Sequence, residues 1–149
     1  MKHKNRFPMK GKCIFLVEDD RMNIELLRIY IENAQAHLEV NSNGRYIIKD
    51  LLDCIKKHGK IDLIILDLML PTNITGFEIC KEIRTISHFD SIPIVAYSAK
   101  HGEDVVQELK DAGFKGLIAK PFYGNFISKL KKVFKEDDFT YLKPSTFFN

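Results

Sequence analysis

No apolar run in this 149-residue chain approaches the roughly 18 residues that a membrane span needs. No apolar stretch follows the basic N-terminus either, so nothing reads as a secretory signal. A cytosolic protein that touches no membrane is the expectation. Cysteine is scarce: Cys13, Cys54 and Cys80 are an odd number without paired spacing, which argues against a disulfide framework or a spaced metal motif. All three read as small buried hydrophobes. Acid is missing from the first dozen residues, where Lys2, Lys4, Arg6, Lys10 and Lys12 lie. The other 18 of the 23 Lys and Arg face 20 Asp and Glu, so the net charge of +3 comes from the first dozen residues, of which 1–11 read as a solvated leader. The fold itself lacks the clustered basic surface that nucleic acid requires. Internal repeats, low-complexity segments and a linker to a second domain are also absent.

What remains is an alternation of short apolar runs with amphipathic segments, the pattern of one α/β domain with a parallel sheet. The runs are Lys12 to Val17, His37 to Asn41, Ile61 to Asp67, Ile92 to Tyr97 and Gly116 to Ala119. The second is half alternating and predicts a strand near an edge. Helices are predicted from near Arg21 to Asn33, from Ile47 to a stop at His58-Gly59, and from Gly76 to Ser87. Two more follow, from Gly102 to Ala112 and through Phe126 to Phe134. In the first helix Asp20 is the N-cap, and Met22, Leu26, Ile29 and Tyr30 form the inward face. In the second, Ile47, Ile48, Leu51, Leu52 and Ile55 point inward.

Chemistry collects at the strand ends. Glu18-Asp19-Asp20 follows the first strand, Asp67 ends the third, Ser98-Ala99 ends the fourth, and Lys120-Pro121-Phe122 follows the fifth. Right-handed crossovers bring all these ends to one edge of a parallel sheet, where ligands bind. A carboxylate at the end of a buried strand needs a partner, and several carboxylates in one crevice favour a raised pKa or a divalent cation. His37, His58, His88 and His101 share no spacing and read as surface residues.

With Pro71 four residues after Asp67, this constellation resembles the receiver domain of bacterial two-component response regulators, over about Lys12 to Lys135. The resemblance implies a flavodoxin-like (βα)5 fold, a doubly wound sheet of five parallel strands in the order 2-1-3-4-5. It implies that Asp67 accepts a phosphoryl group from a sensor histidine kinase or a histidine phosphotransfer protein. Mg²⁺ would be bound by Asp19, Asp67 and the backbone carbonyl of Met69, with Glu18 acting through water. Lys120 would supply the counter-charge and Ser98 a hydrogen bond to the phosphoryl oxygen, with Ala99 leaving room. Such a domain is regulatory rather than an enzyme in the usual sense, promoting only its own phosphorylation and dephosphorylation. The competing readings are a docking module without phosphoryl turnover and an aspartyl phosphohydrolase. The latter is disfavoured because Met69 stands where a second acid would.

The chain departs from the family pattern in several places. Gly76 lies nine positions after Asp67 rather than eight, so the loop after Pro71 is one residue longer. Leu117 stands where many receivers carry the switch aromatic, which leaves the loop and fourth-helix shifts to carry any output. The Asp-Asp-Tyr and arginine pattern of receivers that dimerise through the fourth-helix and fifth-strand region is missing. Met69 and Lys100 flank the phosphoryl position, and neither orients an attacking water well, which predicts slow autodephosphorylation. Residues 136–149, with Phe139, Tyr141, Phe147 and Phe148, read as an aromatic tail without an output domain. It either packs on its own domain, is disordered, or docks a partner.

Overall fold

Runs of Ile, Leu and Val without polar alternation suit strands covered on both faces. The computed structural model describes residues 7, 9–71, 73–122 and 124–145, and four such runs form its inner strands. These are β1 (Cys13–Val17), β3 (Leu63–Asp67), β4 (Ile94–Ser98) and β5 (Gly116–Ala119), and every residue in them is buried. β2 (His37–Asn41) is half exposed and lies at one edge. The crossovers are α1 (Arg21–Asn33), α2 (Ile47–His58), α3 (Gly76–Arg84) and α4 (Glu103–Asp111), and α5 (Phe126–Lys135) follows β5. One core lies between the sheet and α2, α3 and α4; the other lies between the sheet and α1 and α5. Among the described residues no helix is long and apolar enough to cross a membrane. Lys2, Lys4, Arg6, Thr72, Phe147 and Phe148 lie outside the described residues, while Met9, in the expected leader, is fully buried.

Among the described residues the sheet has six strands, not the expected five. β6 (Thr140–Leu142), within the stretch read as a tail, adds a parallel edge to give the order β2-β1-β3-β4-β5-β6. Thr140 and Leu142 are buried, and Tyr141 packs against the core on the side of α4. Three residues after an acidic run are too short for alternation to stand out, so the sequence signal was weak. The partner signal sits in β5: a Cβ on Gly116 would lie 2.6 Å from the Thr140 carbonyl oxygen. Backbone cannot yield as a side-chain tip can, so Gly116→Val should push β6 away. Faster proteolysis within 136–145 and a loss of about 1–3 kcal/mol are expected, the usual range for overpacking. Unchanged digestion would contradict this packing.

A second correction concerns α1. Met22 is 83% exposed and Ile29 is exposed; the buried residues are Leu27 and Ile31, with Ile24 packed beside them. Two apolar stripes compete on this helix, and the one spaced 24-27-31 wins because it also carries the chain to the buried Ala34. In α2 the inward face includes Cys54, while Leu52 is exposed.

Candidate functional site

The strand ends converge on a small acidic crevice. Asp20 caps α1, accepting from the backbone N–H groups of Met22 (2.8 Å) and Asn23 (3.2 Å), so the third acid of the run serves the helix. Glu18, just beyond β1, is fully buried. Its Oε1 accepts from Asn23 Nδ2 at 2.7 Å and from Lys120 Nζ at 2.9 Å. Asp67 ends β3; its Oδ1 accepts from the Met69 N–H at 3.0 Å and its Oδ2 lies 3.5 Å from Lys120 Nζ. The ammonium thus stands between two carboxylates, and it also sits 4.6 Å above the buried Tyr97 ring. The Lys120–Pro121 peptide is cis. The Lys120 N–H donates to the Ser98 carbonyl at 2.8 Å, and Ser98 Oγ accepts from the Lys100 N–H at 3.0 Å.

Desolvation governs the charge state of this crevice. Burial, reinforced by the hydrogen bond that the protonated form can give to Asp67, pushes the Glu18 carboxyl up to about 8 against the opposing pull of Lys120. The same burial, with Glu18 and Asp67 nearby, pushes the Tyr97 phenol up. Glu18 Oε2 is buried without a hydrogen-bond partner among the described residues. Ionised, that oxygen has no donor; protonated, it can donate to Asp67. One carboxylate oxygen each from Glu18, Asp19 and Asp67 lies within 4.8 Å of the others. An orphaned buried acceptor beside an oxygen-only donor cluster fits a hard divalent cation such as Mg²⁺.

Backbone contacts close the loop that follows Asp67. Met69 and Thr75 form an antiparallel bridge, and the Leu70 N–H donates to the Ile74 carbonyl at 3.3 Å. Within the loop so closed, Asn73 adopts φ 61°. Thr75 then caps α3 in a capping box with Glu78. Gly76 abuts the acid-bearing strand end: a Cβ there would meet the Asp67 carbonyl oxygen at 2.6 Å.

Residues 14–132 match the response regulator receiver domain family. The chain belongs to that family. Receiver domains are regulatory, act with histidine kinases or phosphotransfer proteins, and bind Mg²⁺ at an acidic pocket. This receiver is 32% identical over 114 residues to the peroxide stress-activated histidine kinase mak1 of Schizosaccharomyces pombe. The match covers 74% of this chain but only 7% of that protein. It is 28% identical over 121 residues to the polar-differentiation response regulator DivK of Brucella anthropi, covering 80% of this chain and 94% of that one. Among solved structures, the chemotaxis response regulator CheY4 of Vibrio cholerae superposes with a TM-score of 0.68 at 26% identity. That match covers 82% of this chain and 98% of the other.

Of the residues singled out in the sequence, Glu18, Asp19, Asp67 and Lys120 meet in the receiver's crevice, with Ser98 and the exposed Ala99 at the adjoining strand end. The Met69 side chain is exposed while its backbone N–H reaches Asp67. Leu117 is wholly buried in β5, with Ala96 and Tyr141 as its strand neighbours. Asn23 and Tyr97 were missed. Asn23 leaves only the trace of an amide in the first turn of α1; Tyr97 is hidden in an apolar strand.

Proposed function

We propose that this receiver takes a phosphoryl group from a phosphohistidine, on a sensor kinase or a phosphotransfer protein, onto Asp67 and signals through altered protein binding. The observation that carries this reading is the Lys120 ammonium held between Glu18 and Asp67 at the mouth of β3. A carboxylate oxygen of Asp67 attacks phosphorus, a P–O bond forms as the P–N bond breaks, and the leaving imidazole recovers a proton from solvent. Bound Mg²⁺ would supply charge neutralisation on the phosphoryl oxygens, held by Asp19, Asp67 and the Met69 carbonyl, with Glu18 acting through water. Lys120 follows the developing negative charge from the other side. Ser98 can keep accepting from the Lys100 N–H while its own hydroxyl proton turns to a phosphoryl oxygen. Ala99 leaves that approach open.

Output in this reading begins at the loop 98–102. Leu117 cannot swing as an aromatic would, but its neighbour on β6 can respond: Tyr141 Oη lies 3.2 Å from His101 Nδ1 in the same loop. A loop drawn toward the phosphoryl group would break or tighten that contact and shift α4 and β6 together.

Incubation with Mg²⁺ and a small acyl-phosphate donor, followed by intact mass, tests the reading. One phosphoryl adduct is expected, absent in Asp67→Asn. No adduct with any donor would favour a docking module, and repeated turnover of a phosphomonoester would favour a hydrolase. The adduct should last minutes or longer in Mg²⁺ buffer, since neither Met69 nor Lys100 can orient water as an acid or amide does. Loss within seconds would overturn that part of the account.

A further inference from the structure

At the end of the sheet opposite the acidic crevice, β1 begins and α2 finishes, and two thiols and an imidazole meet there. Cys54 and His58 are four residues apart and share one face of α2. Cys13, the first residue of β1, lies in the same core cluster as Cys54. The Cys13 and Cys54 sulfurs are 3.4 Å apart, and a His58 ring nitrogen falls within 4.8 Å of both. Ligands on tetrahedral Zn²⁺ with bonds of about 2.3 Å to sulfur stand roughly 3.8 Å apart. The sulfurs therefore need to part by only a few tenths of an ångström, within reach of a rotamer adjustment.

Two further observations separate this cluster from a chance meeting of core cysteines. His58 Nε2 is hydrogen-bonded to Glu39 Oε1 at 2.8 Å, and Lys57 holds the same oxygen at 3.0 Å. That carboxylate holds the ring through Nε2, so Nδ1 is the nitrogen left to ligate a metal, the arrangement by which an outer carboxylate orients a metal-bound histidine. A cavity of about 260 Å³ leads to Cys54, lined by Glu39, Asp50, Asp53 and Lys57; with Lys49 paired to Asp53 at 3.1 Å, three carboxylates there face two ammonium groups. Its lining favours the approach of a cation. The donors at its end are soft sulfur and borderline nitrogen, unlike the all-oxygen crevice at the other edge.

We propose that Cys13, Cys54 and His58 form a binding site for a thiophilic cation, Zn²⁺ in the first instance, with Glu39 positioning His58 and a fourth position open. Binding replaces two S–H bonds by two Zn–S bonds and releases two protons to solvent; neutral His58 gives its lone pair. The ion would tie β1 to α2 and so report on, or stabilise, the edge of the sheet that carries β2. This site is independent of phosphoryl chemistry at Asp67.

The test uses the reduced 149-residue chain and Co²⁺ as a spectroscopic stand-in. One equivalent should give thiolate-to-cobalt charge-transfer absorption with tetrahedral d–d bands, displaced by Zn²⁺. Cys54→Ser and His58→Gln should lose or alter these bands, Glu39→Gln should weaken Zn²⁺ binding roughly 10–100-fold, and Asp67→Asn should leave both unchanged. Because Cys54 is a core residue, a second measurement on the unmodified protein guards against misfolding: Zn²⁺ should slow alkylation of Cys13 and Cys54 but not of the buried Cys80. Absence of a thiolate band, a band that survives both substitutions, equal protection of Cys80, or a Cys13–Cys54 disulfide that forms unhindered with Zn²⁺ present would overturn the proposal.

Discussion

Glu18→Gln should stabilise the metal-free receiver at pH 8 and flatten its stability against pH. The cause is the buried carboxyl of Glu18, raised from its ordinary 4.5 to about 8 by burial and by the hydrogen bond its protonated form can give to Asp67. A group whose folded pKa lies above its unfolded one binds protons more readily in the folded state. Its contribution is fully present below pH 4.5 and is lost as pH rises through about 8. At 1.36 kcal/mol per unit the shift corresponds to a loss on the order of 3–5 kcal/mol across that window. The amide introduced by the substitution cannot ionise and can still donate to Asp67, so the loss should disappear. Urea midpoints in a chelating buffer between pH 5 and pH 8.5 would read this directly. Mg²⁺ should act in the opposite sense, stabilising the parent most at high pH, where Glu18 is already ionised. A parent protein as stable at pH 8.5 as at pH 5 without metal would contradict the assignment.

Lys120→Met is the second large effect, and it tests the same charges from the other side. Lys120 Nζ is the only ammonium placed on both Glu18 and Asp67 among the described residues. Removing one partner of a buried pair costs about 3–5 kcal/mol, because the remaining charge keeps its desolvation penalty. At low pH Glu18 can take a proton instead, so the cost at pH 5 should be smaller than at pH 8. Adding Glu18→Gln to Lys120→Met should recover much of the stability at pH 8, and the four proteins form a double-mutant cycle. Phosphoryl transfer should not recover with it if, as proposed, Lys120 also neutralises charge on the transferred group. A variant that loses transfer yet shows no pH-dependent destabilisation would separate Lys120 from the Glu18–Asp67 pair.

Most of the fold was legible because apolar runs and turn chemistry agree along the chain. Gly59 ends α2 at φ 84°, as the His58-Gly59 stop predicts, and α1, β2 and β5 begin and end where the sequence places them. β6 escaped because three residues carry too little period, and its best trace, Gly116, belongs to a different strand. The α1 face was misread because apolar residues occur on both candidate stripes and only tertiary packing selects between them. The site was legible where chemistry follows a strand end: an acid or lysine after an apolar run has few places to go. Asn23 was not, because a single amide near a helix start has many uses. His58 read as a surface residue for want of a partner; Glu39, nineteen residues earlier, supplies one only after β2 and α2 have packed together.

The claim that Asp67 is the phosphoryl acceptor stands or falls on where the group resides. The protein, phosphorylated with a small acyl-phosphate donor and Mg²⁺, can be trapped with hydroxylamine, which converts an acyl phosphate to a hydroxamate. Peptide mapping by mass should then place the mark on Asp67 alone, with none on Glu18, Asp19 or Asp20. A hydroxamate at one of those neighbours, or a hydroxylamine-resistant phosphoryl group on any other residue, would contradict the account.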